Sequence, residues 1–104
     1  MPHRVIFSPE ALTQLEALFD HIAAAAGSNI ARAFTGAIVE YCEGFDVFPL
    51  RGMRRDDLLP SLRTIGFRRR VTIAFMVEDD AVTIIGIFYG GQDYESDLHD
   101  QEEP

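Results

Sequence analysis

Seven of the nine arginines in this 104-residue chain, Arg51, Arg54, Arg55, Arg63, Arg68, Arg69 and Arg70, fall between positions 51 and 70, and lysine is absent throughout. Only Asp56 and Asp57 oppose them there. The segment therefore holds five surplus positive charges, while the rest of the chain sets two arginines against fifteen carboxylates. A guanidinium grips carboxylate or phosphate through paired hydrogen bonds and stays charged at any physiological pH. Charge polarised in this way points to a local anionic partner. The bland alternative is a solvated edge paired to Asp56 and Asp57. In an extended strand Arg68-Arg69-Arg70 would project alternately, so at most two would share a face.

The other reactive side chains offer less. His3, His21 and His99 are far apart, and none has a second His or Cys at metal-ligand spacing on its own helix, so no metal site and no cofactor is expected. Cys42 follows Tyr41 in a helical stretch where a small buried hydrophobe is the usual role. The pairs Asp56-Asp57 and Asp79-Asp80 fall in connections where solvation is the default, although two carboxylates in a cleft could share acid–base work. No local signature of a metalloprotease, a phosphate-binding loop, a serine hydrolase or a dinucleotide fold is present. No catalytic residue is assigned.

Composition sets the frame for these groups. With 47% hydrophobic and 25% charged residues the chain is globular, and its length suits one small domain. A net charge of −8 argues against coating nucleic acid over the whole surface. The longest apolar runs are far shorter than the ~20 residues that cross a bilayer as a helix. A lone cysteine and an N-terminus without a signal-peptide pattern predict a cytoplasmic address. We expect a single domain over 1–98 and an acidic, mobile tail over 99–104.

The elements that must position the arginines follow from periodicity. His3 to Phe7 reads as a strand stopped by Ser8-Pro9. Ser8 as cap, Pro9 in the first turn and Glu10 near the positive end of the dipole start a helix. Leu12, Leu15, Leu18, Phe19, Ile22 and Ala26 form its apolar stripe, and Gly27 ends it. Ser28 offers a second cap, after which Ile30, Phe34, Ala37, Ile38, Tyr41, Phe45 and Phe48 repeat the spacing until Pro49. Residues 51–60 read as a charged loop. Leu62–Phe67, Arg69–Val77 and Val82–Tyr89 read as three strands, with Glu78-Asp79-Asp80 as a turn. The fold class is α+β, in the order β-α-α-β-β-β, with a helical hairpin packed on a small, mainly antiparallel sheet. The alternation in Val71–Val77 gives one strongly apolar face and a second, partly apolar one. That second face is either inert core or a place for another chain to add.

This order, with FSPEALTQLEALFDHIA at the start, FPLRGMRRDDL in the middle and YGGQDYESDL at the end, resembles the ParE branch of the RelE/ParE toxins over nearly the whole chain. The resemblance implies the toxin of a type II toxin–antitoxin pair, as in plasmid stabilisation, neutralised by a cognate antitoxin that is ParD-like or otherwise DNA-binding. It would touch operator DNA only through that antitoxin, and no membrane. ParE-like members are similar in acting on DNA gyrase and blocking replication without catalysis. The alternative is a ribosome-dependent mRNA endoribonuclease of the RelE branch, using Arg63, Arg68, Arg70 and Tyr94. Metal-free RNA cleavage needs an acid or base near the 2′-hydroxyl and cations for the transition state. Here lysine is missing, and the stretch Gly90-Gly91-Gln92-Asp93-Tyr94 retains only the tyrosine of the nuclease pattern.

On that reading the target contacts are Arg63, Arg68, Arg69, Arg70 and Tyr94. The antitoxin contacts are Arg51, Arg54, Arg55, Phe75, Val77, Ile85 and Ile87, because the last strands carry more apolar residues than one helical hairpin should cover.

Overall fold

The computed structural model describes residues 4–90 and Leu98. Strand β1 (Arg4–Phe7) leads into helix α1 (Pro9–Ala26), then helix α2 (Ser28–Glu43) and a 3-10 turn (Gly44–Asp46). Strands β2 (Met53–Arg54), β3 (Leu62–Phe67), β4 (Val71–Glu78) and β5 (Ala81–Tyr89) follow. They form one sheet in the order β1-β5-β4-β3-β2. All neighbours are antiparallel except β1, which lies parallel to β5 with Arg4 opposite Ala81 and Phe7 opposite Ile84. The expected α+β class and element order hold, with one strand more than foreseen.

Helix α1 starts as its residues dictate. The Ser8 hydroxyl accepts the Ala11 amide at 3.1 Å, and Pro9 and Glu10 occupy the first turn. Gly27, at φ 100°, ends α1 and also caps α2. Ser28 is thus the first helical residue of α2 and makes no side-chain cap, contrary to its expected role. Helix α2 also stops earlier than its apolar spacing predicts. Arg51 explains this: Nε donates to the Phe48 carbonyl at 2.7 Å and Nη2 to the Gly44 carbonyl at 3.1 Å. The Gly44 carbonyl also takes the Val47 amide of the 3-10 turn at 3.4 Å, and beyond that turn a side chain rather than further α-helix holds the backbone. Phe45 stays buried, but Phe48 is turned outward.

The segment 51–60 is not wholly a loop, because Met53 and Arg54 pair with Thr64 and Arg63 at the sheet edge. The fourth strand begins at Val71, not Arg69. Phe67 pairs with Val71, so the three arginines between them form the hairpin connection, with positive φ at Arg68 (51°) and Arg69 (59°). The alternating projection expected of an extended triplet does not apply to a chain reversal.

Both sheet faces are buried. Val71, Ile73, Phe75, Ile84 and Ile87 pack beneath the helices against Leu18, Ile38, Cys42 and Phe45. A second, smaller core on the opposite side joins Leu58, Leu62, Ala74, Phe88 and Leu98. The chain itself fills that face, so the inert-core reading holds for these residues. Between Ala74 and Phe75 the register shifts, pairing Gly86 and Ile84 on β5 and leaving Ile85 as a bulge. The tail over 99–104 lies outside the described residues.

Candidate functional site

The arginine-rich segment divides into neutralised and uncommitted groups. Arg55 grips Asp57 with two bonds of 2.9 and 2.8 Å, and Arg54 meets Asp56 at 2.8 Å. The Arg54 guanidinium, helped by the Ser61 amide, holds Asp56 below the usual carboxylate range, and Arg55 does the same for Asp57. Arg51 is tied to backbone carbonyls and lies 4.7 Å from the centre of the Phe45 ring. Arg63 reaches back from β3 to the Arg51 carbonyl at 3.4 Å. These four arginines brace the connection between α2 and β3.

The hairpin tip differs. Arg68 lies over the Phe67 ring at 4.9 Å and near the Phe34 ring at 6.0 Å, so its charge is positioned without a counter-ion among the described residues. Arg69 and Arg70 are exposed and, among the described residues, have no side-chain hydrogen bond or ion pair. Two left-handed residues in succession cost a non-glycine about 1 kcal/mol each. Asn-Gly would make the reversal with less strain. Beside the tip, Tyr41, Gly44, Phe67 and Arg68 line a groove of about 350 Å³ that Ala37 and Glu40 complete. Its floor is aromatic, and both the Arg68 guanidinium and the Glu40 carboxylate border it.

The residues expected to meet an antitoxin scatter. Phe75 is fully buried and Ile87 nearly so, beneath the chain's own helices. They cannot present a surface while those helices stay in place. Val77 is packed against the same core and Ile85 against the smaller one. Tyr94 lies outside the described residues. Cys42 is buried, and burial pushes its thiol up to about 12, which leaves it protonated and inert. Among the described residues, no three His, Cys, Asp or Glu side chains gather as a metal ion would need. No described helix is long and apolar enough to cross a membrane.

Sequence reasoning missed the surface made by Val47, Phe48, Leu50 and Met53. Each is more than 60% exposed, within seven consecutive positions. The signal was present in FPLRGM, where Pro49, Arg51 and Gly52 interrupt the apolar residues and break the helical spacing that Phe48 continues.

The family model for the ParE toxin of the type II toxin–antitoxin system parDE matches residues 5–94. The chain belongs to the ParE toxin family. Among solved structures, the chromosomal ParDE toxin–antitoxin system from P. aeruginosa is similar at 22% identity, with a TM-score of 0.74 over 85% of this chain and 96% of that one. The toxin–antitoxin complex RelBE2 from Mycobacterium tuberculosis is similar at 20% identity, with a TM-score of 0.59 over 86% of this chain and 99% of that one. At such identities the likeness is one of fold. No individually curated protein matches the sequence. Within the ParE frame, the motif around Phe48-Pro49 with Arg51 and Gly52 is the braced connection described above.

Proposed function

We propose that this ParE-family chain acts in the cytoplasm as the toxin of a type II pair. On this reading it inhibits DNA gyrase by binding, without turnover of its own, and is held inactive by a cognate antitoxin. The observation that carries this reading is the family match over residues 5–94. The site chemistry is compatible with it. The exposed groups of the tip are guanidiniums, which at neutral pH bind and orient anions but do not exchange protons. Cys42 is a buried thiol. The proposed target contacts are the uncommitted Arg68, Arg69 and Arg70 of the tip, with Arg63, at the opposite end of β3, and Tyr94 as the further contacts of this reading.

The test is supercoiling of relaxed plasmid by purified gyrase with and without the chain. We expect loss of supercoiling, and a weaker effect when Arg68, Arg69 and Arg70 are all replaced by Glu. The competing reading, taken from the RelE side of the sequence resemblance, is a ribosome-dependent endoribonuclease using Arg63, Arg68, Arg70 and Tyr94. Messages cut in translating ribosomes, with supercoiling untouched, would establish that reading and sink the first.

A further inference from the structure

The connection after α2 is constructed to hold apolar side chains in water. Phe48 is 71% exposed and Leu50 70%, with Val47 and Met53 close behind. Loose loops bury such residues by folding over them, but here the backbone is fixed from two sides. Arg51 clamps the Gly44 and Phe48 carbonyls and stacks on Phe45. Gly52 adopts φ 75° so close to β3 that a Cβ there would fall 2.4 Å from the Thr64 carbonyl oxygen. The result is a rigid apolar platform, the kind of exposed patch that marks a binding surface.

Two observations select the occupant. First, Gly44 links the platform to the groove lipped by Arg68, since its carbonyl takes Arg51 while the residue lines that groove. Beyond it, Arg68, Arg69 and Arg70 lack carboxylate partners among the described residues, whereas the rest of the chain is strongly acidic. An acidic segment would be repelled by most of this molecule and attracted here. Second, exposed apolar side chains promote aggregation in a free protein, so this platform suits a partner that covers it in the resting state rather than a target met in passing.

We infer that the platform of Val47, Phe48, Leu50 and Met53, with the neighbouring Arg68 groove, is the docking surface for the antitoxin's neutralising segment. That segment sets apolar anchors on Phe48 and Leu50 and carboxylates against the tip arginines. The inference rests on the reading that an antitoxin neutralises this chain, and it moves the apolar anchors from the buried sheet to the α2–β2 connection.

The test uses the full chain and the product of the adjoining gene, co-expressed and purified as a complex. Hydrogen exchange should show the backbone amides of 47–53 protected in the complex relative to the free chain. The double substitution Phe48→Ser, Leu50→Ser should weaken binding ~30-fold or more, with an unchanged circular dichroism spectrum as the folding control. Arg51→Ala keeps the apolar side chains but releases their clamp, and should weaken binding by a smaller factor. A complex that forms with amides 47–53 unprotected and the double variant bound as tightly as the parent overturns the inference and leaves the antitoxin reading standing. Protection of 47–53 by gyrase and not by the antitoxin overturns it in favour of a target surface. No complex with the unaltered chain removes the antitoxin reading itself, and the inference with it.

Discussion

The side-chain carbonyl of Gln14, on α1, accepts the backbone amide of Ile87, on β5, at 2.7 Å across 73 residues of sequence. Strand β1 pairs with β5 only as far as Ile84, after which Ser8 and Pro9 turn the chain into α1. Gln14 then supplies the acceptor that a longer β1 would have offered. It anchors the helix to the sheet and closes part of an open strand edge.

Gln14→Ala should therefore destabilise the fold by about 1–2 kcal/mol through the lost bond to a part-buried amide. Chemical denaturation should show a lower midpoint with an unchanged slope. Exchange at the Ile87 amide should accelerate more than global unfolding explains, and an unaltered Ile87 rate would refute the role given to Gln14.

Gly52→Ala meets both a left-handed backbone and the Thr64 carbonyl. A loss of about 2 kcal/mol or more is expected, well above that of a surface substitution. Gly27→Ala, at φ 100° but with open space around its Cβ, should cost less. Thermal melts of the two variants give the ranking, and the reverse order would count against the close approach of Gly52 to β3.

Replacing Arg68-Arg69 by Asn-Gly should make the hairpin easier to form and raise stability by about 1 kcal/mol. The same change should lower toxicity, because two uncommitted guanidiniums are lost. Stability and growth arrest thus move in opposite directions, as expected where strain is kept for function. A variant both more stable and fully toxic would show that these arginines are not the target surface.

Asp56 and Asp57 are held below their ordinary value of 3.8. A carboxylate whose folded-state pKa is depressed contributes stability that is present above the unfolded value and lost as pH falls through the folded one. The turn after β2 should therefore keep its ion pairs at pH 4 and above, and release them only in stronger acid. Arg54→Ala should raise the Asp56 titration midpoint toward 3.8 while leaving Asp57 low, which carboxyl-detected NMR would resolve. Equal movement of both aspartates would contradict the separate pairing of Arg54 with Asp56 and Arg55 with Asp57.

Much of the scaffold was legible because its residues act locally. Ser8, Pro9 and Glu10 meet only the first turn of α1, and Leu62–Phe67 declares a strand by its own composition. The end of α2 was not legible, since Phe45 and Phe48 continue the helical spacing while the residue that interrupts it, Arg51, acts through bonds spanning seven and three positions. Strand β2 has only two residues and is defined by its partner β3. The arginine triplet gave no turn signal, because arginine has no preference for a positive φ and the reversal is imposed by pairing Phe67 with Val71. Phe75 and Ile87 looked surplus to one helical hairpin, yet Phe75 meets the Phe45 ring at 4.8 Å and Ile87 lies under α1 where Gln14 takes its amide.

The parallel pairing of β1 with β5 also sets a condition on synthesis. Arg4–Phe7 leaves the ribosome well before Ala81–Ile84, its strand neighbour among the described residues. The helical hairpin has local contacts and can form early, whereas the sheet edge must wait for β5 and must close a long loop. At ~5–20 residues per second this delay lasts several seconds. A nascent chain broken off before Ile84 leaves β1 without its partner, so premature termination yields no complete sheet and translation itself times the appearance of the folded toxin.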